Sequence, residues 1–92
     1  MVTMTRERLE LGAKYQAIGV QLGMIEMIPR ASWSKETKER VVELLEQESE
    51  MDVKLSEYLI NDGDAIGIAM LRRNQVLNAN VLWDLKQELA AV

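Results

Sequence analysis

The sequence predicts an all-α protein of three long antiparallel helices, a helical bundle completed by self-association. Three observations carry this. Apolar residues recur at helical spacing over residues 5–28, 34–61 and 65–90, strong turn signals separate these stretches, and no alternating strand pattern exceeds a few residues. Ninety-two residues make one domain, 1–92, of a size at which a second subunit often supplies part of the stability. At 1.5 Å per residue each stretch is a rod of roughly 36–40 Å, and equal rods on short loops pack antiparallel.

The first helix carries two apolar stripes, Leu11, Tyr15, Ile18, Leu22 and Ile25 on one, and Leu9, Ala13, Val20, Met24 and Met27 on the other. A helix apolar on two sides is expected to be buried on two sides. Gly12, Gly19 and Gly23 interrupt its interior, each costing about 1 kcal/mol relative to alanine, so a close neighbour is expected to compensate. Gly19 and Gly23 form a small-xxx-small step with Gly12 one heptad earlier, a groove for a neighbouring helix, in particular the same helix of a second subunit. The sharper alternative is a ligand that meets the backbone there.

Pro29 closes that helix, because it lacks an amide hydrogen and disfavours helical conformation in the residue before it. Ser34 is the expected N-cap of the second helix, with Glu36 in its first turn where the helix dipole favours negative charge. Ser49 and Asp52 imitate a capping box that would split this helix. Against a split, Val41, Leu44 and Leu45 recur two heptads later as Leu55, Tyr58 and Leu59, which predicts a continuous rod. Asn61, Asp62, Gly63 and Asp64 mark the next turn, and Asp64 is the expected cap of the third helix.

Polar residues interrupt the apolar stripes at mid-helix. Glu48 stands among Val41, Leu44, Met51, Leu55 and Tyr58, while Gln75 and Asn78 stand among Ile68, Leu71, Leu82, Leu85 and Leu89. Folding the second and third helices about residue 63 sets Glu48 opposite Asn78 and Asp52 opposite Asn74, and the first hairpin sets Tyr15 opposite Glu48. One level thus collects Tyr15, Glu48, Asp52, Asn74, Gln75 and Asn78, with Arg72 and Arg73 beside it. Such a level is a polar pocket for a small anionic ligand, with an arginine available for its charge, or a hydrogen-bonded network that fixes register, or a set of positions that face water. Trp33 and Trp83 suit end-cap packing, and Trp83 is in addition a candidate interface anchor.

Absent residue types limit the chemistry. With neither cysteine nor histidine, disulfides, thiolate chemistry, imidazole bases and the common zinc sites are excluded, and no cofactor is expected. Glu36 with Glu39, and Glu43 with Glu46, have a spacing that can share a cation, but acidic helices produce it by chance, and no metal site is assigned. Net charge is −4, and residues 34–62, with four basic and nine acidic residues, carry the excess acidity at −5. Nucleic acid is therefore an unfavoured partner. The N-terminal charges and the short apolar runs give no export signal or membrane span, so a cytoplasmic location is expected, the host cytoplasm for a virus-encoded chain.

The expected architecture is similar to that of small all-helical chorismate mutases, dimers of three-helix chains with polar bundle-centre sites. The likeness is one of architecture alone. Lys14 stands where a catalytic arginine would be expected, and no stretch aligns with that family. No catalytic set or phosphate loop is recognisable. The expected function is that of a non-enzymatic, self-associating protein that acts on a protein partner as a small adaptor or inhibitor. The alternative is a binder of, or enzyme for, a small anionic ligand, using the mid-bundle level.

Overall fold

The computed structural model describes residues 5–91. Three helices, α1 (Arg6–Glu26), α2 (Lys35–Asp62) and α3 (Ala65–Ala90), form an all-α bundle, with a short 3-10 turn at Arg30–Ser32 and no strand among the described residues. The molecule measures 50 × 21 × 20 Å, and α2 alone, at 1.5 Å per residue, accounts for about 42 Å of the long axis. That middle helix packs along both neighbours, while α1 and α3 make little backbone approach to each other. None of the described helices is long and apolar enough to cross a membrane.

Side-chain caps set the helix starts. Thr5 accepts from the Arg8 amide at 3.2 Å, Ser34 from Thr37 at 3.1 Å and Asp64 from Gly67 at 2.9 Å, each satisfying an amide that has no partner within its helix. Gly63 ends α2 in the left-handed region at φ 70°. Its amide reaches the Ile60 carbonyl, and that of Asp64 reaches Leu59, two bonds that turn the chain directly into α3. The first helix ends at Glu26, short of residue 28. There the Trp33 indole takes the Ile28 carbonyl at 2.9 Å and Pro29 prevents the helix from continuing.

As the heptad phase predicts, α2 runs unbroken through Ser49. Asp52, which would have ended a capping box, is buried instead. The core joins Ile18 and Leu22 of α1, Val41, Leu44 and Leu45 of α2, and Leu85 of α3, with Ile25, Trp33, Met51 and Leu82 packed around them. It lies toward the end of the bundle where α1 and α3 finish. Leu71 is the buried anchor of the opposite half.

One expectation about α1 is corrected within the chain. Its first stripe packs, but Leu9, Val20, Met24 and Met27 of the second are 56%, 58%, 66% and 84% exposed. The reason is geometric: the two stripes lie about half a turn apart, α2 covers one, and α3 packs along α2 and leaves the other uncovered. Gly12, Gly19 and Gly23 likewise have nothing within 4 Å of where a Cβ would stand, so no close neighbour within the chain compensates them. The tight glycine is Gly67, where a Cβ would lie 2.6 Å from Oδ2 of the capping Asp64. Trp33 is half-buried against the core, whereas Trp83 is 66% exposed and does not cap the bundle end.

Candidate functional site

Five of the six residues read from the sequence as one level, Tyr15, Glu48, Asp52, Gln75 and Asn78, do meet in the seams of the bundle. Glu48 and Asp52 are one helical turn apart on α2, so both point from the same face toward the seams with α1 and α3, and both are buried. From α3, Asn78 donates its side-chain amide to Glu48 Oε1 at 2.5 Å. Gln75 and, from α1, the Tyr15 hydroxyl face the Asp52 carboxyl and favour its ionised form. They do not complete its satisfaction. Oδ1 of Asp52 is enclosed and has no hydrogen-bond partner.

Burial governs the electrostatics of this layer. It pushes the Glu48 carboxyl above its ordinary range, the Asp52 charge adds to the rise, the Asn78 amide opposes it, and Glu26 adds a smaller repulsion. Burial raises Asp52 too, against the pull of Tyr15 and Gln75. The Tyr15 phenol is raised by burial first and then by the charges of Asp52 and Glu48, which keeps it a neutral donor. Two carboxyls therefore share a partly dry site without a cationic side chain between them.

Asn74, the sixth residue of this level, and Arg72 and Arg73 beside it are not brought into the seam. All three are exposed, because each lies off the α3 face that carries the buried Leu71 and the half-buried Gln75 and Asn78. Asp52 is consequently faced by Gln75 rather than by Asn74. The layer thus holds two buried carboxyls, with both arginines exposed outside it. Beside Asp52 a cavity of about 70 Å³ opens between α2 and α3, lined by Leu45, Ser49, Asp52, Gln75, Asn78, Ala79 and Leu82.

Sequence reasoning missed the ion pair that closes the other end of the α1–α2 seam. Arg8 contacts Asp62 at 2.5 Å and lies 5.2 Å over the Tyr58 ring. An arginine among the polar residues at a helix start carries no distinguishing signal. Three carboxylates of the acidic pairs of α2 have basic neighbours: Glu39 has Lys35, Glu43 has Arg40 and Glu46 has Lys86. Among the described residues no group of three or more potential ligands is placed to hold a metal ion.

The second candidate is the outer face of α1, where Leu9, Val20, Met24 and Met27 stand exposed beside the open notches at Gly12, Gly19 and Gly23. Comparison with protein-family models, curated proteins and solved structures finds no match to this chain.

Proposed function

We propose that this is a non-enzymatic helical binding protein, acting through protein–protein contacts, whose outer α1 face pairs with a second copy of the chain. The observation that carries the reading is the stripe of four large apolar side chains, 56% to 84% exposed, on the side of α1 opposite its core face. Contiguous exposed apolar surface on a small domain marks an interaction site. A copy of α1 suits it in two respects. Residues 5–28 carry three basic and three acidic residues, so two copies meet without net repulsion despite the overall charge of −4. In an antiparallel pairing centred on residue 18, Met24 of each copy lies level with Gly12 of the other, and the glycines, with nothing within 4 Å of a Cβ position, leave room for a neighbouring helix to approach. An adaptor or inhibitor role, in which the paired surface occupies a further protein, extends this reading.

Sedimentation of the full chain over a wide concentration range tests it. The expected result is a dimer that dissociates on dilution and is lost in Met24→Glu, with helicity kept because Met24 makes no core contact. A monomer mass at every concentration would overturn the reading.

A further inference from the structure

The cavity beside Asp52 differs from the α1 face in chemistry and stands independently of the reading given to that face. We infer that it is a binding site for a primary ammonium group. The first observation is Asp52 itself, a carboxyl 3% exposed that lines the cavity and whose Oδ1 has no partner. A buried acceptor left unpaired is costly, which favours any donor that reaches it.

The second observation is the orientation of the neighbouring amides. Asn78 directs its NH2 group at Glu48, and the Gln75 amide lies beside Asp52 and favours its ionised form. Each amide that spends its donor on a carboxylate keeps its carbonyl oxygen as an acceptor. The polar wall therefore offers Asp52 Oδ1 and the side-chain oxygens of Gln75 and Asn78, three acceptors without a competing cation. An ammonium group brings three donors and one positive charge.

Space and surroundings agree with that ligand. About 70 Å³ is well above the roughly 10–15 Å³ that one water needs. Leu45, Ala79 and Leu82 supply an apolar wall against which the carbon attached to the nitrogen can lie. The acidity of residues 34–62 draws cations toward the α2 side of the opening. A divalent ion fits less well, since a single carboxyl lines the cavity and such ions favour more charged oxygen ligands.

The test follows the side-chain amide NMR signals of Gln75 and Asn78 in the full-length protein near neutral pH. It titrates methylammonium chloride against tetramethylammonium and magnesium chlorides at matched ionic strength. Saturable shifts are expected with methylammonium alone. Asp52→Asn, a neutral isostere that relieves a buried charge and so retains the fold, is expected to weaken binding about tenfold or more. Ala79→Leu, which narrows the cavity while leaving Asp52 in place, is expected to abolish it. N-acetyl-lysine amide in a parallel titration separates the sources of the group: tighter binding than methylammonium points to a lysine of a partner chain, weaker binding to a free amine, and both support the site. No saturable shift, an equal response to tetramethylammonium, preference for magnesium, or full binding by Asp52→Asn would overturn it.

Discussion

Asn78 of α3 donates its amide to the Glu48 carboxyl of α2, thirty positions away in sequence, and so fixes the register of the α2–α3 hairpin at its middle. Sliding α3 by one turn would leave a carboxyl 6% exposed without its donor. The apolar stripes alone hold register less strictly, because Leu71, Leu82 and Leu85 could exchange neighbours at modest cost.

Removing one side of that bond is therefore expected to cost more than neutralising the other. Asn78→Ala leaves Glu48 buried and unpaired and is expected to lower stability by about 1–3 kcal/mol. Glu48→Gln keeps the shape, removes a repelled charge beside Asp52, and is expected to be neutral or stabilising. Urea unfolding at neutral pH measures both, and equal losses would show the pair to be solvated in solution.

Stability is expected to fall as pH rises from the ordinary carboxylate range toward neutrality. Glu48 and Asp52 both have folded-state affinities for protons raised above their ordinary values of 4.5 and 3.8, by burial first. Between the unfolded and folded values the native state holds more protons, so the unfolding free energy has a negative slope with pH. The groups facing the pair are Tyr15 and Glu26 of α1 and Gln75 and Asn78 of α3, none of them cationic. Thermal melts from mildly acid to neutral pH should show this slope in the native protein and lose it in the Glu48→Gln, Asp52→Asn double variant; a native slope of the opposite sign would contradict the burial argument.

The glycines should respond in opposite directions. Gly19→Ala and Gly23→Ala meet open space and each should stabilise the isolated chain by about 1 kcal/mol through helix propensity. The same substitutions fill the notches of the proposed α1 pairing and should weaken it. At Gly67 a methyl would stand 2.6 Å from Asp64 Oδ2 and 3.1 Å from Leu59 Cδ2, so the cap must shift and a loss of up to about 1 kcal/mol is expected. Denaturant unfolding under dilute and concentrated conditions separates the two effects; stabilisation by Gly67→Ala would show that the cap adapts freely.

The number and order of the helices, and the starts of the second and third, were legible in the sequence because their signals are local: Pro29, the caps Ser34 and Asp64, and Gly63 act through the backbone of their own turns. The pairing of Glu48 with Asn78 was legible too, since a short turn between equal rods fixes which positions face each other. Which neighbours of that level turn inward was decided only by tertiary packing. Gln75 rather than Asn74 meets Asp52, and Arg72 and Arg73 stay in water, because a 100° step per residue separates buried from exposed and linear register does not record it. The open side of α1 was likewise settled by packing: periodicity marks both stripes as apolar, but only the placement of α2 and α3 determines which one the chain itself can cover.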